Sequence, residues 1–349
     1  MNNIEIERSV EPIRILSIEY LKAIAIVLVI VTHVLSQSQK LKVGASFWIY
    51  MAVPIFMILS GYTYSLSVSK KRITNIKQYF NRELMIARIS RLIIPYLIVV
   101  VVEVLLYYII PVIYPASGVA LQPIKELLFK FLQGGRGPGS YYIPILIQLL
   151  FIFPFMLFSF KKAPYKSIGL IFLIHLCFDI LSNYLPVSPE IYRLLILRYL
   201  VFIIMGIALY ECNNDFKFKN KNIIFFLSIA SIIYIWICNY SGYIPKIFSK
   251  WTFTSLPTVF WALELVILGM KYLEIENKNV ITNITSLIGK ASYHIFLVQM
   301  VCFGFGLNSL FNYIKLNVVL RCLLSIVLCC FVGIVFYYFE MGLRKLVKD

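Results

Sequence analysis

Charge is scarce in this chain. Of its 349 residues 14% are Asp, Glu, Lys or Arg, 60% are hydrophobic, and the mean hydropathy is +0.85. A soluble globular chain is roughly a quarter charged and about half apolar, so water is not the main solvent here. Acidic residues are the rarest of the charged set, 16 against 33 basic ones, for a net charge of +17. No basic patch lies in a soluble stretch, which argues against a nucleic-acid partner. The seven cysteines, at 177, 212, 238, 302, 322, 329 and 330, show no metal-type spacing, so we read them as small packing residues and expect no metal. The ten-residue alternation of a transmembrane barrel is also missing. No A-x-A-like site follows the first apolar run, so that run is expected to be retained rather than cleaved. Without repeats or low-complexity segments, residues 1–349 read as a single polytopic membrane domain.

Long apolar runs are what the chain has. Crossing a hydrocarbon core of about 30 Å takes about 20 helical residues. Runs of that order recur near 16–36, 45–67, 92–113, 140–160, 167–184, 193–211, 223–241, 252–271, 287–307 and 317–338. The expected fold class is therefore all-α integral membrane, with about ten transmembrane helices; Arg193 and Arg198 interrupt the pair at 167–211. Counted in alternate loops, 22 Lys and Arg fall on the side of the N-terminus and 11 on the other, together the 33 of the chain. The cytoplasmic side carries the excess, so both termini are expected in the cytoplasm. Most of the positive charge then serves as an anchor on the lipid bilayer's anionic headgroups. The richest cluster, Lys70 to Arg91, has a second reading as a dock for a phosphorylated cytoplasmic ligand, because Arg forks match phosphate oxygens.

The first span, IEYLKAIAIVLVIVTHVLSQ, holds Glu19, Lys22 and His33 in an otherwise almost wholly apolar helix. Ionisable residues are costly inside a membrane and mark a functional hypothesis. Eleven residues at about 100° each make three turns plus about 20°, so Lys22 and His33 face the same way, about 16 Å apart along the axis. Glu19 lies one turn before Lys22 on that face and is placed to neutralise it. Lys22 reads either as an interfacial anchor or as part of a site. His33 reads either as a packing histidine bonded to Gln37 or as a general base for a hydroxyl nucleophile. Glu264, inside another span, needs a cationic partner, and Arg198 or Arg321 could supply it. The glycine-rich GGRGPGSYY at 134–142 is a turn before a helix or a loop at an entrance. Tyr141, Tyr142 and Trp251 are interfacial aromatics or stacking partners for sugar rings.

These residues resemble the integral membrane acyltransferases of family three. Lys22, ten residues and His33, with Glu19 before them, are similar to that family's Arg/Lys-x10-His signature. VPIFMILSGY at 53–62 is similar to its apolar run ending in Ser-Gly-Tyr, and ARISRLIIPY at 87–96 to its Arg-x-x-Arg before a proline. GPGSYYIPILIQLLFIFP at 137–154, RYLVFIIMG at 198–206 and ASYHIFLVQ at 291–299 complete the order. The opening helix is most similar to the branch associated with Gram-positive exopolysaccharides, including the membrane protein of poly-N-acetylglucosamine adhesin loci. One departure stands out: Phe296 and Gln299 occupy places where many members have Leu and His, while His294 sits five residues before Gln299.

The resemblance implies an enzyme of the bacterial plasma membrane that acylates an extracytoplasmic carbohydrate. No resident cofactor is implied; acyl-CoA, most simply acetyl-CoA and alternatively a succinyl donor, is a substrate. Its phosphates would dock against Lys22, Arg88 and Arg91. His33, with Glu19 and Lys22, would carry the catalysis as base or nucleophile. Ser60, Tyr142, Gln299 and His294 would meet the acceptor, and other polysaccharide-biosynthesis proteins are conceivable partners. Two rivals stay open at this point: a polysaccharide exporter or flippase, and a non-catalytic membrane component of a synthase complex.

Overall fold

The computed structural model describes residues 3–113, 124–185, 188–212, 221–245, 254–273 and 279–346, and Trp251 lies outside them. Every regular element among the described residues is helical. In chain order they are α1 (Asn3–Val34), α2 (Gln37–Lys42), α3 (Ala52–Lys70), α4 (Ile76–Tyr79), α5 (Arg82–Ile113), α6 (Ile124–Leu132), α7 (Tyr142–Lys162), α8 (Pro164–Tyr184) and α9 (Pro189–Leu194). There follow α10 (Leu200–Glu211), α11 (Lys221–Tyr240), α12 (Val259–Tyr272), α13 (Val280–Lys290), α14 (Ser292–Gly304), α15 (Leu307–Tyr313) and α16 (Val318–Leu346).

Among the described residues seven helical stretches are long and apolar enough to cross a membrane: Leu16–Val34, Ala45–Lys70, Arg82–Ile109, Tyr142–Lys162, Pro164–Tyr184, Asn222–Tyr240 and Val318–Leu346. An eighth arises if α13 and α14, bent by 71° where they meet, count as one span. The expected runs at 193–211 and 252–271 are instead broken. In the first, α9 and a 3-10 turn at Ile196–Tyr199 precede the 12-residue α10. The backbone groups freed at this break are taken up by Gln148 of α7, which donates to the Leu194 carbonyl at 2.7 Å and accepts from the Ile196 amide at 3.1 Å. In the second, Pro257 sits in a 3-10 turn, Leu256–Thr258, ahead of the 14-residue α12. Ser231 donates to the Pro257 carbonyl at 2.6 Å. Irregular backbone is tolerated inside a membrane protein where protein groups satisfy it, as they do at both breaks.

Burial separates an inner set from an outer one. The Ala45–Lys70 stretch is 67% buried, whereas α8 and the Val318–Leu346 span are each 22% buried and turn Leu, Val and Phe side chains outward. In a bilayer those outward faces meet acyl chains rather than water. The short α10 is apolar on all sides and almost wholly buried, the pattern of a helix enclosed by others. It lies against α3 with backbone nearly touching backbone: a Cβ on Gly61 would strike the Ile203 carbonyl, and one on Gly206 the Ile58 carbonyl. Small residues admit such approach between membrane helices. The glycines of the Ser-Gly-Tyr and RYLVFIIMG segments therefore hold two helices together.

Candidate active site

A cavity of about 880 Å³ opens between α1, α3, α7 and α14. Its α1 wall is Lys22, Val29, Thr32 and His33, and its α3 wall includes Phe56, Ser60, Thr63 and Tyr64. Both sets recur at helical spacings of three, four or seven, so each presents a single stripe. The hydroxyls on these walls are satisfied locally: Thr32 donates to the Leu28 carbonyl, Ser60 to that of Phe56 and Thr63 to that of Leu59, each at 2.8 Å. This back-bonding is how Ser and Thr are accommodated in an apolar helix.

His33 sits in the last turn of α1. Its carbonyl accepts from Asn308 Nδ2 at 2.8 Å, and its ring leans on Phe303 with centroids 5.8 Å apart. Neither ring nitrogen has a hydrogen-bond partner among the described residues, and the ring borders the cavity. The expected bond to Gln37 is not formed, since the Gln37 side chain meets the Tyr50 hydroxyl at 3.4 Å. Lys22 lines the same cavity and lies within electrostatic reach of Glu19, with no ion pair at contact distance among the described residues. Glu19 makes other contacts: it accepts from the Ser286 hydroxyl, and Lys290 Nζ stands 3.6 Å from it. It thereby ties α1 to α13, where a Cβ on Gly289 would meet the Glu19 carbonyl.

Ser60 and Tyr142 both line the cavity, and their hydroxyls are hydrogen-bonded to each other. The Tyr142 ring packs between Phe56, centroid distance 6.2 Å, and Phe296, 5.2 Å. Of the residues expected from sequence, Lys22, His33, Ser60 and Tyr142 thus converge on one space.

Arg88 and Arg91 lie beside that space rather than in its wall. Both are within electrostatic reach of Tyr64, which lines it. Arg88 is buried, donates to the Tyr79 carbonyl at 2.9 Å and stacks 3.7 Å above the Tyr79 ring. Arg91 is exposed. Lys71 completes a basic cluster: burial, and then Arg88 and Arg91, lower its amine below the ordinary lysine value. Such crowding of cations is relieved by an anionic ligand.

Gln299 and His294 stand away from the cavity. Gln299 is fully buried and donates to the Pro138 carbonyl at 3.2 Å. That bond clamps the glycine-rich loop, in which Gly134, Gly135 and Gly139 adopt positive φ, and at Gly137 a Cβ would collide with the Met300 backbone. The loop is packed beneath α14, and Pro138 and Gly139 form part of the cavity wall. His294 lies 3.7 Å from Glu340, flanked by Phe336 and Tyr337, and Glu340 is held by Arg344, which also donates to the Ser90 carbonyl at 2.9 Å. These contacts join α14, α16 and α5.

Sequence reading passed over three buried carboxylates, Glu340 described above, Glu103 and Asp179. Glu103 accepts from the Arg136 amide at 3.4 Å, and Arg136 stacks 4.6 Å over Tyr107, which fixes the other flank of the glycine-rich loop. Asp179 accepts from the Tyr192 hydroxyl at 2.8 Å and lies 3.5 Å from His175. Arg198, 1% exposed, stacks near Tyr199 and Tyr192 and donates to Thr254. Glu264 pairs with neither Arg198 nor Arg321 among the described residues; Arg321 bonds Asn312 and the Leu316 carbonyl. The signal for Glu103 and Asp179 was present, since both are acidic residues within apolar runs.

A hollow within a membrane bundle, carrying an unpartnered imidazole, a lysine aligned with it on one helix, and an arginine cluster at its flank, is chemically suited to group transfer onto a hydroxyl. Comparison with curated proteins and with solved structures finds no match. The family model described as an acyltransferase domain matches residues 15–338, which takes in every helix lining the cavity. The chain therefore belongs to acyltransferase family three and is a multi-pass membrane O-acyltransferase.

Proposed function

We propose that the enzyme moves an acyl group from cytoplasmic acyl-CoA to a hydroxyl of an extracytoplasmic carbohydrate at the bacterial plasma membrane. The observation that carries this reading is that Lys22 and His33 line one cavity whose wall, at Tyr64, adjoins Arg88 and Arg91. The reading takes both termini as cytoplasmic and the two broken segments at 193–211 and 252–271 as further crossings, ten in all.

In this arrangement the CoA phosphates rest on Arg88, Arg91 and Lys22, and the pantetheine arm follows the α1 stripe toward His33. The axial gap of about 16 Å between the two residues is of the order of an extended arm. His33 accepts the proton of the acceptor hydroxyl as its oxygen attacks the thioester carbonyl. The C–S bond breaks, and the proton passes from the imidazolium to the departing thiolate. Ser60 and Tyr142 offer hydroxyls to the reacting centre, and Tyr142 and Phe296 offer ring faces to a sugar. The acyl group is acetyl or succinyl, and the acceptor is an exopolysaccharide. The similarity of the opening helix to the exopolysaccharide branch supports that acceptor.

The test is His33→Ala with membrane insertion verified, followed by mass spectrometry of surface glycans. Loss of ester groups from an otherwise normal polymer is the expected result. Unchanged ester content would refute the reading, and loss of the polymer itself would favour an exporter.

A further inference from the structure

The cavity is charged with one sign throughout. Among the described residues its lining contains Lys22, Lys40 and Arg193, and not one Asp or Glu. None of the three cations has an ion-pair partner among the described residues. Lys22 belongs to the donor end in the proposed function. Lys40 and Arg193 belong to the opposite end, where the helices stop: Lys40 is in α2, just past the end of α1, Arg193 is in the last turn of α9, and Asn239, which lines the same cavity, is in the last turn of α11.

Both cations are held rather than loose. Lys40 is partly buried, burial lowers its amine below the ordinary lysine value, and its Nζ stands 6.0 Å from the centre of the Tyr50 ring. Arg193 has a buried Nε with no hydrogen-bond partner. A buried, unmatched guanidinium donor is costly unless a ligand completes it. Lys40 also reaches the His33 ring electrostatically, so an anion bound there sits next to the reacting hydroxyl.

We propose that Lys40 and Arg193 form a subsite for a negatively charged group on the carbohydrate acceptor, a phosphate or carboxylate close to the hydroxyl that is acylated. This rests on the reading of the cavity as an acyl-transfer site. Tyr50, Gln37 and Asn239 frame the subsite with one ring face and two amides, a set suited to a sugar unit beside the charge.

The experiment uses the full-length protein in nanodiscs of zwitterionic lipid. Fluorescence anisotropy reads binding of labelled glycans of equal length: an oligogalacturonate, a polyol-phosphate oligomer and a neutral chito-oligosaccharide. At low salt the two anionic glycans should bind about tenfold more tightly than the neutral one, the value of one or two charge-assisted contacts, and the gap should narrow as salt screens it. Lys40→Gln with Arg193→Gln should abolish the preference, and Lys40→Arg with Arg193→Lys should restore it in part. Equal affinity for charged and neutral glycans overturns the proposal, as does a preference that survives the double neutralisation. Loss of the preference when anionic lipid is added assigns the cations to headgroups and overturns it too. In a transfer assay, an effect of the double variant confined to the KM of a dicarboxylic acyl-CoA would put the anion on the donor, again against the proposal. His33→Ala should keep the anionic preference while losing transfer. A variant that keeps both leaves the subsite standing and removes the acyl-transfer reading.

Discussion

Two of the three histidines of this protein, both in apolar helices, have surroundings that could hardly differ more. His175 is fully buried in α8, with Asp179 one turn away, Tyr192 bonded to that carboxylate and Arg198 close behind. His33 borders about 880 Å³ of open space and has no hydrogen-bond partner among the described residues. The first cluster lies away from the cavity, and its contacts hold α8, α9 and the broken segment before α10 together. The second has room for a ligand beside the ring. Cost alone does not distinguish a working ionisable residue in a membrane from a structural one, because both are expensive to bury. Neither imidazole has a hydrogen-bond partner among the described residues; what distinguishes them is that His175 is closely packed beside Asp179 whereas His33 has open space beside its ring.

That contrast is sharpest in its largest expected effect. His33→Ala should lower acyl transfer by about 10²- to 10⁴-fold, the usual contribution of a general base, with thermal unfolding in detergent nearly unchanged. Retained turnover would erase the distinction. Asp179→Ala should do the reverse: stability falls by about 3 kcal/mol, the cost of leaving buried partners uncompensated, while transfer per folded molecule is preserved. Arg91 is exposed beside the cavity, so Arg91→Gln should raise the KM for acyl-CoA by about fivefold, one screened charge-assisted contact, and leave kcat alone. Smallest of all, His294→Asn should change transfer by no more than about twofold, within the range of a substitution outside the machinery. A large loss at His294 would show that its contacts with Glu340 reach the reaction.

The long crossings were legible because twenty apolar residues in a row admit few other readings. The breaks were not. Arg193 and Arg198 interrupt the run at 193–211, but two charges alone do not specify a 3-10 turn, whose backbone is satisfied by Gln148, some 46 residues earlier in the chain. Residues 287–307 likewise hide a 71° bend. At the site, Lys22 and His33 could be paired from an eleven-residue spacing, and Ser60 and Tyr142 from their segments. Lys40 was read only as a loop charge counted for orientation, and Arg193 as that and as an interruption of an apolar run, since nothing local shows that three separate helix ends meet at one mouth. Gln299 and His294 were placed near the acceptor by resemblance, yet their side chains are engaged with the glycine-rich loop and with Glu340.

The clamp between Gln299 and Pro138 spans 161 residues, and this has a consequence for biogenesis. A nascent chain that has delivered α1, α3 and α7 to the bilayer holds His33, Ser60 and Tyr142 but lacks α14, so the loop at 134–140 has nothing to seat against. The reaction chamber closes only when the last quarter of the polypeptide has been made. Ribosome-bound intermediates and products truncated before α14 thus lack the clamp on this loop, so turnover is expected only of chains that reach beyond it.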